Sequence, residues 1–121
     1  MNILGPINEG TSGRYTSALT DETGAAIDGT ALDSATLTYY DALTLAVING
    51  RSAQNVKNTN GVTISALGAL VWAVAPADTV MVGSGAMEDH VALFTFTWGG
   101  GGAKACTHDV TIRVRNLKLV P

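Results

Sequence analysis

Two histidines, one cysteine and ten carboxylates are the groups in this chain suited to catalysis or metal binding. Cys106 and His108 stand two residues apart, so on a strand they share a face. A nucleophilic pair needs a base beside the thiol and an oxyanion-stabilising group, and no nucleophile elbow or helix start accompanies these two. Two ligands also fall short of the four that a structural zinc site takes. The pair reads as a small buried thiol and a surface histidine. His90 lies in Glu88-Asp89-His90, just before an apolar strand, and His108 just before the last strand. A hairpin centred near Gly102 pairs residues whose numbers sum to about 204, which sets His90 opposite a position near 114 and His108 opposite one near 96. The histidines then sit at opposite ends of the hairpin and share no metal.

The carboxylates Asp21-Glu22, Asp28, Asp33 and Glu88-Asp89 fall in turns, where capping and solvation are the usual roles. No D-x-D-x-D-G calcium loop is present. Gly99 to Gly102 lacks the strand-to-helix context and the Gly-Lys-Ser ending of a phosphate loop. It reads as a mobile hairpin tip, with ordering against a neighbouring subunit as its functional alternative. Trp72, Phe94, Phe96 and Trp98 alternate as core residues do, and Trp98, at a strand end, is the one open to a glycan-platform role. These residues give no catalytic group, no metal ligand and no cofactor.

Composition narrows the class. Charged residues make up 14% of the 121 and the net charge is −3. A chain this poor in charge is not an extended disordered segment, and its neutral surface of Thr, Ser, Asn, Gly and Ala suits contact with proteins more than steering of charged ligands. Of the basic residues only Arg113, Arg115 and Lys118 cluster, so the broad basic face of a nucleic-acid binder is missing. Residues 1–10 lack the basic stretch and apolar run of a signal peptide. Ile64 to Val82 is broken by Ser65, Gly68, Pro76 and Asp78 and is too mixed for a membrane span. With one cysteine there is no internal disulfide.

Thr and Val are abundant and the helix formers Glu, Lys and Gln scarce, which favours strands. Residues 1–13, punctuated by Gly5, Pro6, Gly10 and Gly13, read as an irregular arm with room for a short strand at Ile3-Leu4. Strands are expected at 14–19, 36–41, 43–48, 62–65, 70–75, 91–98 and 107–119. Residues 52–59 read as a loop or loose edge, 83–89 as a loop, and Pro76-Ala77-Asp78-Thr79 as a helical turn with Pro at its first position. In 36–41, Leu37, Tyr39 and Asp41 share one face. In 91–98, Ala92, Phe94, Phe96 and Trp98 share one, and in the last strand Val110, Ile112 and Val114 do. The thirteen residues 107–119 would span about 43 Å, so this strand bends or projects toward a partner. Short strands at regular turn spacing predict one all-β antiparallel sandwich over residues 14–121.

Several segments fall in a familiar order: Leu19-Thr20-Asp21 with Gly24 and Ile27-Asp28; Ala35 to Asp41; Leu70-Val71-Trp72; Pro76 to Thr79; and His90 to Trp98 followed by the glycine hairpin. Over about residues 19–116 this resembles the small Ig-like domains of tailed-bacteriophage virion proteins, such as the N-terminal domain of baseplate upper proteins. It departs in the longer insert at 49–60 and in lacking a receptor-binding extension. The resemblance implies an Ig-like sandwich and a non-enzymatic structural role in a virion, as capsid decoration, neck or tail and baseplate accessory. The expected partners are other virion proteins and copies of itself as a homo-oligomer in the assembly, with no nucleic acid and no membrane. The chain would be made in the host cytoplasm and carried in the virion. The contact surface is expected on the arm, the 49–60 loop and the last strand: Ile3, Leu4, Arg51, Gln54, Asn55, Trp98, Arg113, Arg115, Leu117 and Leu119. An arm or strand that pairs with a neighbour satisfies its edge hydrogen bonds. The alternatives are a carbohydrate- or cell-surface-binding module using Trp98 and a tyrosine, and an enzyme using Cys106 and His108.

Overall fold

Side chains alternating in and out along each strand dictate two stacked sheets. The computed structural model describes residues 3–117 and contains strands β1 (Ile3–Asn8), β2 (Gly13–Ala18), β3 (Ser34–Asp41), β4 (Gln54–Asn55), β5 (Val62–Ile64), β6 (Ala69–Val74), β7 (Met87–Trp98) and β8 (Lys104–Arg115). One sheet runs β1-β8-β7-β3-β4 and the other β2-β6-β5. That order is the Greek-key plan of an Ig-like sandwich. All pairings are antiparallel except β1 on β8, which is parallel.

The inner faces carry Leu37 and Tyr39 from β3, Leu70 and Trp72 from β6, Phe94 and Phe96 from β7, and Val110, Ile112 and Val114 from β8, all buried. Trp72 meets Tyr39 and Phe94 edge-on, at ring-centroid distances of 5.3 and 5.7 Å. Such edge-to-face contacts match the positive rim of one ring to the negative face of the next. Of the adjacent tyrosines, Tyr39 faces the core and Tyr40 is half-buried.

One end of the core is closed by charge. Arg51 Nε and Nη2 donate to the two carboxylate oxygens of Asp78, at 2.7 and 3.0 Å, and Nη1 donates to Gln54 Oε1 and the Asn60 carbonyl. Asp78 also accepts from Asn49 Nδ2 and from the Ala75 N–H. Both side chains are buried. Asp78 sits in the 3-10 turn Pro76–Thr79, and the Tyr39 hydroxyl donates to its backbone carbonyl.

The structure differs from the sequence-based expectation in several places. Residues 1–13 do not form only an irregular arm: Ile3–Asn8 is a strand of the larger sheet. Residues 43–48 form a turn with a single bridge, Tyr40 to Val47, because the Asp41 carboxylate accepts the Thr44 N–H and hydroxyl and bends the chain. The β7–β8 hairpin pairs Trp98 with Lys104 and His90 with Ile112, so it centres on Gly101 and its register is two residues from the expected one. A shift of two preserves which face each side chain occupies. β8 ends at Arg115, short of the expected strand end.

Removing one partner of a buried, fully bonded ion pair strands the other charge. Asp78→Ala should therefore lower unfolding free energy by about 3–5 kcal/mol in urea titrations. The double variant Arg51→Met/Asp78→Leu should lose less than Asp78→Ala alone.

Candidate functional site

The expected contact residues do not form one surface. β1 and β4 lie at opposite edges of the larger sheet. Ile3, Leu4, Arg113, Arg115 and Leu117 belong to the β1–β8 side, and Gln54 and Asn55 to the far edge. Ile3 is half-exposed, while Leu4 packs on the core. Arg113 is held by Asp89 across the hairpin and Arg115 by Asn8 Oδ1. Leu117 is exposed and its N–H donates to Glu9. Leu119 lies outside the described residues. Arg51 is a correction: it is 5% exposed and spent on Asp78, so it offers no contact to a partner. Gln54 is half-buried beneath it, and Asn55 is exposed. Trp98, the residue a glycan platform would use, packs partly against the core.

Cys106 and His108 share the inner face of β8 as their spacing predicts, and both are half-buried. Burial pushes the Cys106 thiol above its ordinary value, which keeps it protonated at neutral pH. Burial also pushes His108 down, toward the neutral imidazole. His108 is not a free surface base: the Tyr15 hydroxyl lies 2.6 Å from its Nε2. The ring faces Phe94 across the hairpin, far along the ladder from His90. The glycine tip is tethered too, because Asp33 Oδ2 accepts the Gly100 and Gly102 N–H groups.

A polar cluster that the turn-based reading passed over lies at the other end of the sandwich. Asp41 and His90 are directly paired across β3 and β7, and Glu88 is two residues from His90 on the same face. Asp41, Glu88 and His90 bring one ligand atom each within 4.8 Å of one another. His90 Nε2 lies 2.8 Å from Glu88 Oε1 and 3.8 Å from Asp41 Oδ1. A cleft of about 310 Å³, lined by Ala42, Leu43 and Met87 with the acids, opens above them. Parity carried the signal: Asp41 continues the Leu37-Tyr39 face, and His90 the Ala92-Phe94 face.

Each acid is pinned from behind. Burial works against the charge on Glu88, but the N–H groups of Val82 and Gly83 and the His90 ring more than offset it, so its carboxyl sits below the ordinary range. Burial likewise opposes the charge on Asp41, and the Thr44 N–H and hydroxyl, with His90, bring it below its ordinary value. Beside them, the Arg113 guanidinium holds Asp89 down. Among the described residues, Asp41, Glu88 and His90 are the group placed to hold a cation, yet a metal-bound histidine normally donates its second N–H to an acceptor. His90 Nδ1 is buried with no hydrogen-bond partner among the described residues.

Comparison with family models, with curated proteins and with solved structures gives no match to this chain. Among the described residues, no helix is long and apolar enough to cross a membrane.

Two measurements follow from these environments. Unfolded carboxyls titrate near pH 4, and the folded values of Asp41, Glu88 and Asp89 lie lower. Their contribution to stability is complete above the unfolded values and is lost as pH falls through the folded ones. Unfolded histidine titrates at about pH 6.5 and buried His108 lower, so urea midpoints should ease down as pH falls from about 7 to 5 and drop more steeply below about pH 4, with a shallower acid drop in Glu88→Gln. Cys106 should react with a neutral maleimide at pH 7 much more slowly than a free thiol, and at the free-thiol rate once the chain is unfolded.

Proposed function

We propose that this chain is a non-enzymatic structural protein of a tailed-phage virion, acting through contacts with copies of itself and with other virion proteins. The observation that carries the reading is the coincidence of the resembling segments with the Ig-like framework. Ala35 to Asp41 forms most of β3, Leu70 to Trp72 the centre of β6, Pro76 to Thr79 the 3-10 turn, and His90 to Trp98 most of β7 before the glycine hairpin. These segments supply much of the inner face outside β8, so the likeness is one of framework and not of scattered surface residues.

Large apolar side chains left in water give further support. Leu43 is 90% exposed, with Leu45, Val47 and Met87 exposed nearby in the chain or across the cleft. Apolar groups gathered at one end of a domain are what a protein contact covers. In a symmetric particle such modest contacts repeat, and binding strengthens through avidity.

Mass spectrometry of purified particles tests the reading. The chain should appear among the particle proteins at high copy number. Its absence from particles whose other proteins are detected would overturn the proposal. Leu43→Asp should lower incorporation while leaving the unfolding free energy of the free protein, from urea titration, within about 0.5 kcal/mol of the parent.

A further inference from the structure

We propose that β2 is a self-association edge, at which two copies of this chain pair β2 to β2, antiparallel about a two-fold axis, with Thr16 opposite Thr16. The inference rests on the assembly reading for its use, while its geometry comes from the sheet itself. In seven-stranded constant-type Ig sandwiches a first strand lies beside the strand equivalent to β2. Here the first strand pairs with β8 in the other sheet, and among the described residues β2 ends its own sheet with β6 on one side only.

The hydrogen-bond phase of that edge can be read from its neighbours. Ala73 donates to Gly61 and Ser65 to Ala69, so the odd positions of β6 bond toward β5 and Leu70, Trp72 and Val74 bond toward β2. Their partners are Ser17, Tyr15 and Gly13. Leu19, next in this phase, donates to Gly68 on the same side. The N–H and C=O groups of Arg14, Thr16 and Ala18 therefore point outward, and these three residues are exposed.

Edges are normally blunted by brevity, proline, bulges or charge. The other three edges of this sandwich follow that rule. β1 carries Pro6 and a register break between Leu4 and Ile7. β4 has 2 residues and β5 has 3. β2 has 6, without proline and with unbroken register, and Arg14 is its sole charge.

A two-fold pairing centred on Thr16 matches outward residue to outward residue: Arg14 to Ala18, Thr16 to Thr16, and Ala18 to Arg14. All outward N–H and C=O groups on both copies are then satisfied. The two Arg14 side chains stand four residues apart along the ladder, about 14 Å, beyond the screening length at physiological salt. Tyr15, half-buried against His108, falls opposite Ser17 of the second copy. No like charges meet, and the two three-stranded sheets become one of six strands.

Sedimentation equilibrium of the full chain, from micromolar to millimolar concentration, tests the register. The parent should show a monomer–dimer equilibrium. Ala18→Glu places a carboxylate opposite Arg14 twice and should tighten the dimer by about threefold to tenfold, and Ala18→Lys should weaken it by a similar factor. Thr16→Pro removes the central outward N–H and should abolish dimerisation. A parent that stays monomeric throughout, Ala18 variants that shift the equilibrium in the same direction, or a Thr16→Pro dimer as strong as the parent's would each overturn the proposal. A chain present in purified particles but monomeric in solution would overturn the edge pairing and leave the assembly reading standing. A parent dimer that the Ala18 pair tunes in opposite directions supports the pairing even if particles lack the chain.

Discussion

The Arg51–Asp78 pair ties together parts of the chain that lie far apart in sequence. Its hydrogen bonds draw in Asn49 from the β3–β4 connection, Gln54 from β4, Asn60 ahead of β5 and Ala75 just past β6. The guanidinium carbon also lies 5.8 Å from the Trp72 ring centroid, so the pair lids the aromatic core. Burying two charges carries a desolvation cost that their attraction repays only with good geometry and full bonding. Here each carboxylate oxygen accepts two hydrogen bonds and the guanidinium donates four. Such a pair adds little net stability over apolar residues, but it penalises any arrangement that separates its members. It therefore fixes where the long β3–β4 connection must lie.

How much of this was readable depended on whether the signal was local. Alternation alone placed Phe94, Phe96, Val110 and Ile112 inside, because one face of each strand is apolar over several residues. The Pro76 turn was readable because proline at a first helical position needs no partner. Arg51 was not: in a polar stretch between Asn49 and Asn60 it looks like a solvated loop residue, and only Asp78, 27 residues later, makes it a buried one. The strand at Ile3–Asn8 was readable only at Ile3-Leu4, because its glycine and proline argue locally against a ladder and its full length depends on β8 offering an edge.

The acid–histidine cluster is a different case. Asp41 was on the inward face by parity, and His90 by the same count, but Glu88, the third member, reads as a turn residue in solvent. The structure resolves that conflict by giving the carboxylates backbone donors from Thr44, Val82 and Gly83. Loop residues whose order is hard to read thus exist partly to neutralise side chains whose position is easy to read. At the other end, the Asp33 carboxylate does the same for the glycine tip, where Gly99 to Gly102 all have positive φ and no side chain of their own to anchor them.

The parallel pairing of β1 with β8 has a mechanical consequence. Tension applied through the chain before β1 and after β8 acts lengthwise along that ladder, in shear. Its rungs from Ile3 to Asn8 then carry the load together, whereas in a hairpin pulled open at its end they would fail one after another. A domain strung between two anchors by its termini would resist stretching as a unit, and its first yielding event would be the sliding of β1 past β8.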